Sequence, residues 1–449
     1  MKTRILACGL LLAGTGQLLG QEVPSMTLND ALEMARRRNP QYQQSKIDVN
    51  LAGAGLRTGY GQFLPTLNAN LGWTGRRSTT VTGTDDFGRS VELPQSVTFQ
   101  SSTATQGLSG SVTLFDGLRN VRGLRAAQSD LSAADEGLRS TGIAVDAEVQ
   151  RRFYDVVWRQ RLIEVEEQLL ASAREQLDAN ERLFRVGSTD QVDILGAQVN
   201  VASQEQQLDQ ANGDATKARL RVLEQLGVLD EFLDFNPVGS FPEAFDPGLL
   251  VGGELVTRAF EVSPLLKQGD ARVSAARHRA SAARGERLPT ISVNGGYNRG
   301  LQEDDYGALW NLNPRNFGFN FGVNVSLPIF SGFQRFESVA RADGEVRRAD
   351  EQLRLTMLQV EQGVRSALID LQSASENLRI QQRSTALARQ RLELAREQFR
   401  LGSILFTNLQ QIIADAANRE RALVNAEYSF AIAVVNLEEQ VGESVAPVR

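Results

Sequence analysis

The sequence has very few of the residues that build disulfides, metal sites and catalytic centres. Its 449 residues include one cysteine, Cys8, and one histidine, His278. Single copies exclude an intrachain disulfide, a multi-histidine metal site and a site held by several thiolates. His278 lies among arginines in a polar segment, which is typical of a surface residue. The sequence has no Gly-rich phosphate loop either. From these absences together we expect no catalytic residues, no metal and no cofactor.

An excess of positive charge is also missing. The formal net charge is -6 and the isoelectric point is near 5.3, whereas binding to nucleic acid requires a basic face. We therefore predict no nucleic-acid partner. The many Asp and Glu residues are most simply the solvated faces of helices. Aromatic residues make up 6% of a chain that is 41% apolar, which favours thin, elongated packing over a thick core.

Long apolar runs are confined to the N-terminus. Lys2 and Arg4 precede a mainly apolar stretch, which small residues follow. This order is typical of a secretory signal peptide, predicted at 1–20 with an uncertain cleavage point. Cys8 has too few residues before it for a complete lipoprotein signal, so lipidation is disfavoured. No later run reaches about 18 apolar residues, and a membrane would have to be crossed by strands.

Proline and glycine positions show that the chain repeats itself. Four motifs of the first half return in the second: Asn-Pro and Ser-Pro at Pro40 and Pro264, Leu-Pro at Pro65 and Pro289, Phe-x-Gly at Gly117 and Gly332, and Arg-x-Gly-Ser at Ser188 and Ser403. The first two pairs are 224 residues apart (264 minus 40) and the last two 215 (332 minus 117). The second copy therefore lacks nine residues, as a shortened loop would explain.

This repetition sets the predicted domain organisation. Two structural repeats flank a proline-containing segment with little periodicity, which is expected to wrap the outside as a linker or equatorial segment. The predicted parts are the signal peptide at 1–20, a first repeat at 27–227, the linker at 228–253, a second repeat at 254–442 and a C-terminal tail at 443–449.

Each repeat contains two segments in which apolar and polar residues alternate, as in a strand with one apolar face. The longest runs from Phe317 to Ile329, and the others cover 67–73, 108–114 and 291–297. Their polar faces carry Asn, Ser, Gly and Thr rather than Lys and Glu. This pattern favours a transmembrane barrel with lipid outside and water inside, while a soluble sheet with one buried face is the alternative.

The rest of each repeat is predicted to be helical and long. Residues 118–186 and 333–401 contain no proline and carry apolar residues at every third or fourth place, which is about 100 Å of helix. Gly-Ser turns end both of them. Such helices must pack against neighbours to bury their apolar stripes. The predicted neighbours are helices at 189–226, 406–441, 41–62 and 265–287.

Four strands are too few to close a barrel, and three copies with twelve strands give the simplest count. With these features the chain resembles the TolC family of outer-membrane efflux and secretion channels, over Leu28 to Gly442. The motifs that carry the resemblance are the duplicated unit itself, the Leu-Pro before each first strand, Phe-Arg-Val-Gly at 184–187 and Asp-Ile-Leu-Gly-Ala-Gln at 193–198. It implies an α+β membrane protein, a trimeric channel-tunnel in which four strands per chain form a shared 12-stranded β-barrel, continued by a long antiparallel α-helical barrel.

The resemblance also implies two sets of functional residues at the helical end, which closes like an iris. The tips that dock a periplasmic adaptor are expected at Arg185, Val186, Gly187, Ser188, Arg400, Leu401, Gly402 and Ser403. The periplasmic aperture is expected at Asp193, Asn408 and Gln411. Asp193 matches the family, whereas Asn408 and Gln411 stand where many members carry acids. Ile404 and Phe399 replace a basic residue and a tyrosine, which leaves the family's ionic lock and acidic ring without their usual residues.

The implied function is the outer-membrane exit duct of a tripartite efflux system, which passively conducts small molecules from a periplasmic adaptor and an inner-membrane pump to the exterior. The implied partners are two further copies of the chain, the adaptor, the pump and outer-membrane lipid of a Gram-negative bacterium. The helical tunnel would lie in the periplasm, and no enzyme activity is expected. A channel for type I protein secretion is one alternative, and a periplasmic coiled-coil structural protein is another.

Overall fold

The computed structural model describes residues 25–84, 86–187, 190–228, 235–304, 306, 308, 313 and 315–445. The predicted signal peptide, Ser188 and residues 446–449 lie outside the described residues. The helices are α1 (Leu28–Arg38), α2 (Pro40–Gly61), α3 (Arg119–Arg185), α4 (Gln191–Leu226), α5 (Gly252–Val262), α6 (Pro264–Gly285), α7 (Gln334–Arg400) and α8 (Phe406–Val441). The strands are β1 (Ser25–Thr27), β2 (Thr66–Thr84), β3 (Ser90–Phe115), β4 (Asn236–Val238), β5 (Thr290–Glu303) and β6 (Asn316–Ser326).

The helices of the two halves have matching lengths. α1 and α5 each have 11 residues, α2 and α6 have 22, α3 and α7 have 67, and α4 and α8 have 36. The strands differ, with 19 and 26 residues in β2 and β3 against 14 and 11 in β5 and β6. These lengths support the predicted duplication and place the length difference in the hairpins.

The chain divides into two compact units, each of which takes segments from both halves. Among the described residues, the first unit takes its members from 25–39, 146–245 and 373–435, and the second from 40–145, 246–372 and 436–445. Three of the five dividing points fall inside α3, α7 and α8, and the other two lie between α1 and α2 and between β4 and α5.

In the first unit, α3 packs against α8 through aromatic side chains. The rings of Trp158 and Tyr428 stack with centroids 4.7 Å apart, and Trp158 Nε1 donates a hydrogen bond to Asn425 Oδ1 at 2.8 Å. Phe153 and Phe430 are almost fully buried. The Trp158–Tyr428 stack and its hydrogen bond join the two helices, and each buried phenylalanine stabilises the unit by about 2 kcal/mol.

The same unit contains a small parallel sheet. β1 pairs with β4, which lies inside the predicted linker. α1 follows β1 directly and begins with a capping box, in which Thr27 Oγ1 accepts from the Asp30 N–H and the Asp30 carboxylate accepts from the Thr27 N–H. At the other end of α1, Arg36 Nη2 lies 2.5 Å from Asp146 Oδ2 of α3.

The second unit is built on a four-stranded antiparallel sheet with the order β2-β3-β5-β6. β2 and β6 are therefore the edge strands. The β2–β3 hairpin extends beyond β5, because β3 pairs with β5 only from Ser102 onward. A register irregularity lies between Thr80 and Thr82 of β2.

Polar contacts join α2 to α3, α3 to α6 and α6 to α7 in the second unit. Ser45 of α2 bonds Thr141 of α3 at 3.0 Å. Gln268 of α6 donates to the Ala133 carbonyl of α3 at 3.2 Å. An ion pair of 3.0 Å between Arg277 and Asp350 joins α6 to α7. Across the described residues, no helix is both long enough and apolar enough to cross a membrane.

Two expectations about element boundaries need correction. The alternation from Phe317 to Ile329 predicts a strand of that length, but β6 ends at Ser326. Pro328 has no N–H to donate to a neighbouring strand, so the alternating pattern outlasts the hydrogen-bonded ladder. The periodicity also predicted strands only at 67–73, 108–114 and 291–297, whereas β2 covers Thr66–Thr84, β3 covers Ser90–Phe115 and β5 covers Thr290–Glu303.

Candidate functional site

The turn between α7 and α8 is a closed helix end in the first unit. Gly402 is left-handed with φ of 75°, the Ser403 N–H donates to the Gln398 carbonyl at 2.8 Å, and the Gly402 N–H donates to the Phe399 carbonyl at 2.9 Å. These two bonds form a Schellman motif, which satisfies carbonyls that the helix end leaves open. A Cβ at Gly402 would meet no heavy atom within 4 Å, so the backbone conformation alone requires glycine.

The turn between α3 and α4 begins in the same way. Gly187 has φ of 74° and its N–H donates to the Phe184 carbonyl at 2.9 Å. A Cβ at Gly187 also has open space around it. Ser188 lies outside the described residues, and α4 starts after Asp190, whose backbone is extended. Both turns therefore depend on a left-handed glycine.

Both tips expose an aliphatic side chain next to an arginine. Val186 is 72% exposed and Leu401 is 69% exposed, and each follows an exposed arginine, Arg185 or Arg400. A hydrogen bond from Arg400 to Glu397, at 2.5 Å, raises the pKa of the arginine and lowers that of the carboxyl. The two tips thus present the same chemistry, an apolar contact beside a guanidinium.

The predicted aperture residues lie on two helices. Asn408 and Gln411 are both exposed and three residues apart on α8, hence on one face of it, while Leu409 is buried. Asp193 is half-buried in the first turn of α4, and Asn180 Nδ2 donates to its backbone carbonyl at 3.4 Å. The structure brings the two amides together and places the carboxylate on a different helix.

An ion pair that the sequence did not reveal joins α3 to α8. Arg421 forms two hydrogen bonds to Glu166, at 2.6 and 2.7 Å, and a third to Gln207 of α4 at 2.8 Å. The Glu166 side chain is only 9% exposed, and its bonds raise the pKa of Arg421. The partners are 255 residues apart in sequence, so no local spacing could have indicated the contact.

A polar cavity of about 240 Å³ adjoins this ion pair. Glutamine and asparagine side chains of α3, α4 and α8 line much of it. Gln204 Oε1 and Gln410 Nε2 are buried there without a hydrogen-bond partner among the described residues. A buried amide group without a hydrogen-bond partner costs about 1–3 kcal/mol, so these two side chains lower the stability of this part of the bundle.

In the second unit, one face of the sheet carries uncharged polar residues and is called the polar face. Its register places Asn70, Gly107, Asn298 and Gly318 side by side across the four strands. The amides of Asn70 and Asn298 lean over Gly107, because a Cβ there would lie 2.8 Å from Asn70 Nδ2 and 2.9 Å from Asn298 Oδ1. The same face continues with Thr66, Asn68, Ser109, Ser111, Asn294, Asn320 and Asn324.

The opposite, apolar face of the sheet is exposed in the single chain. Phe319 is 85% exposed and Val323 is 60% exposed. Exposed apolar patches of this extent normally meet another protein or a lipid phase. The other large exposed side chains of this face include Leu67, Leu71, Leu108, Leu114, Tyr297, Phe317, Phe321 and Val325.

A sheet with one neutral polar face and one exposed apolar face is typical of strands that separate lipid from water in a membrane barrel. The family model described as outer membrane efflux protein matches residues 31–228 and 255–443. The chain belongs to the outer membrane efflux protein family.

Similar proteins fit this assignment. The outer membrane efflux protein BepC of Brucella suis is 23% identical, with 98% of this chain and 91% of BepC covered. The alkaline protease secretion protein AprF of Pseudomonas aeruginosa is 24% identical, with 95% and 86% covered. The crystal structure of the Campylobacter jejuni CmeC outer membrane channel has a TM-score of 0.74 at 18% identity, with 94% of this chain and 87% of CmeC covered. The fold is thus that of TolC-like channels.

Proposed function

We propose that this chain is the outer-membrane exit duct of a tripartite efflux system and acts as a passive conduit built from three copies. Membership of the outer membrane efflux protein family supports this location and role. In the proposal, the sheet lies in the outer membrane of a Gram-negative bacterium and the helical tunnel lies in the periplasm. An inner-membrane pump, joined through a periplasmic adaptor, supplies the energy for transport.

The observation that carries the proposal is the combination of two unlike sheet faces with two open edges. β2 and β6 each have a neighbour on one side only, and they run in opposite directions because the sheet is antiparallel. β2 of one copy therefore fits beside β6 of the next in an antiparallel ladder. Three copies of four strands give twelve, and closure removes the open edges, with the apolar face toward lipid and the polar face toward water.

The tips are the proposed contact with the adaptor. Arg185, Val186, Gly187 and Ser188 would form one half, and Arg400, Leu401, Gly402 and Ser403 the other. The exposed Val186 and Leu401 side chains support this role, because a small apolar patch beside a guanidinium suits a protein partner.

Asp193, Asn408 and Gln411 are the proposed aperture. A ring of carboxylates would bind multivalent cations, whereas the amides of Asn408 and Gln411 have no net charge for this. We expect little block of conductance by multivalent cations on the periplasmic side, and strong block once both residues are changed to Asp. Strong block of the unmodified channel, or none in the double variant, would place these side chains away from the aperture.

Similarity to AprF supports protein secretion as the second candidate function for the same duct. A cell-based experiment separates the two. In the source strain, deletion of the gene should increase susceptibility to pump substrates, and the intact gene should restore resistance. Unchanged susceptibility together with loss of one secreted protein would favour secretion. Recovery of the chain in the soluble periplasmic fraction would instead favour a coiled-coil structural protein.

A further inference from the structure

Charge is almost absent from the sheet as far out as Thr80 of β2 and Val97 of β3, beyond which β3 carries Glu92. β6 has no charged residue, and neither does β3 from Val97 to Phe115. The charged residues lie in β2, as far as Thr80, and in β5. They are Arg76, Arg77, Arg299 and Glu303.

Strand alternation separates these charges by face. Side chains of a strand point alternately to opposite faces, so Arg76 shares a face with Asn70 and Thr74. Arg77 follows the parity of Leu67 and Leu71 on the apolar face. Arg299 and Glu303 follow Ile291, Val293 and Tyr297, also on the apolar face. Arg76 is therefore the one charged residue on the polar face within this part of the described sheet.

Arg76 lies in the β2–β3 hairpin beyond the four-stranded ladder, which ends where Gly300 of β5 pairs with Asn316 of β6. The last residue pair between β3 and β5 is Ser102 with Glu303, and Arg76 pairs with Ser101, one position further along. Its side chain is exposed and makes no hydrogen bond or ion pair with the described residues. Glu303 pairs with Ser102, next to the Ser101 that pairs with Arg76, but its side chain is on the opposite face. Asp304 follows the end of β5 and has no partner strand in the described sheet.

We propose that Arg76 sets the charge preference of the duct by forming a ring of three guanidinium groups at the outer rim of the polar face. This inference rests on the proposed trimeric duct, whose symmetry would repeat Arg76 three times around a polar face that carries no other charge between the start of β2 and Thr80. A positive ring concentrates anions and repels cations. The ring favours chloride over potassium, and among larger solutes it favours anionic over cationic ones. Its reach is about 10 Å at 0.1 M salt and shrinks as salt rises.

The test compares neighbouring arginines on opposite faces. The purified trimer is placed in a planar lipid bilayer under a potassium chloride gradient near 0.1 M, and the zero-current potential gives the chloride-to-potassium permeability ratio. We expect Arg76→Gln to lower this ratio about twofold and Arg76→Glu to lower it further. Arg77→Gln is the matched control and should leave it unchanged. Arg76→Lys, which retains the charge, should also leave it unchanged.

The outcomes separate this inference from the proposed function. A conducting Arg76→Gln channel with the unmodified ratio would overturn the role of Arg76 and leave the duct intact. An equal shift in Arg77→Gln would overturn the assignment of Arg76 to the water-facing side. Absence of conductance from the unmodified trimer would contradict the duct itself and the inference with it. If Arg76→Gln fails to assemble, the comparison of Arg76→Lys with Arg76→Glu replaces it, and equal ratios for those two would overturn the proposal.

Discussion

The sheet of the second unit and the helices of the first unit expose very different side chains. The sheet presents Phe319 and Val323 to its surroundings and has almost no charge, whereas the helices present ion pairs such as Arg389 with Glu420 and Arg174 with Glu205. Both sets are exposed in the same chain. The difference indicates that the two regions are built for different solvents, an apolar phase around the sheet and water around the helices.

The two regions also differ in how they are held together. The sheet is joined within the chain by backbone hydrogen bonds and leaves two edges open, while the helices are joined by side chains from distant parts of the sequence. Surface ion pairs contribute little each, typically below about 1 kcal/mol, and a buried pair is costly to break. The helices therefore depend on a few buried contacts, and we expect the sheet to depend on neighbours outside the chain.

Breaking the buried pair should give the largest effect. Glu166→Ala leaves Arg421 without its main partner, and we expect a loss of roughly 3 kcal/mol of stability. Thermal unfolding followed by circular dichroism measures this as a lower Tm. Glu167→Ala is the matched control, because Glu167 is adjacent and exposed. Equal Tm values for the two variants would contradict the importance of the buried pair.

Placing a charge on either face of the sheet sharpens the comparison of solvents. Phe319→Lys puts a cation on the apolar face, which costs about 2–4 kcal/mol if that face meets the middle of a bilayer. Asn320→Lys, the next residue, puts the same cation on the polar face and should cost little. The yield of trimer in the outer membrane measures both. A normal yield for Phe319→Lys would show that the apolar face does not meet lipid.

Straining the two left-handed turns should have a smaller effect on stability and a clear effect on efflux. Valine at Gly187 and Gly402 costs about 1–2 kcal/mol at each turn, because both glycines have positive φ. We expect drug resistance in a pump-dependent strain to fall while trimer yield stays near normal. Gly213→Val is the control, since Gly213 lies within α4 with open space around its Cβ position. Unchanged resistance in the double variant would count against docking at the tips.

The smallest expected effect concerns pH. Burial raises the pKa of Glu427 on α8, Glu420 adds to the shift and Arg161 opposes it. A raised pKa means that any stability from this group is present below its ordinary value of 4.5 and is lost as the pH rises through the folded-state value. Glu427→Gln should therefore raise the Tm at pH 7, because it adds less than about 1 kcal/mol to the free energy of unfolding there. Below pH 4.5 it should leave the Tm unchanged. Glu167→Gln should leave the Tm unchanged at both pH values. If the higher Tm of Glu427→Gln persisted below pH 4.5, the burial of Glu427 would be contradicted.

Helix boundaries were largely predictable from the sequence. The prediction of 406–441 matches α8, and the prediction of 118–186 exceeds α3 by one residue at each end. Absence of proline and a terminal glycine are local signals, so they can be read without a structure. α1 and α5 were not predicted, because each has 11 residues, or about three turns, and so holds few repeats of an apolar pattern.

Strand lengths and long-range contacts were much less predictable. The outer part of β2 is rich in threonine and lacks apolar alternation, so periodicity stopped at Trp73 although the pairing continues to Thr84. Of the candidate site, the glycine turns could be read from the sequence. The contact between Glu166 and Arg421 could not, because it depends on how separate helices pack.

The most direct test of the account is whether the open sheet edges meet between copies. In a Cys8→Ser background, Asn68→Cys on β2 is combined with cysteine at Gly318, Asn320 or Gly322 on β6, and oxidation is followed by non-reducing electrophoresis of outer membranes. The account predicts linked dimers and trimers for at least one pair, with nothing larger, and none when Ser109 of the central strand β3 replaces Asn68. Single chains at all three positions, or a ladder that continues beyond three, would contradict a closed sheet of three copies.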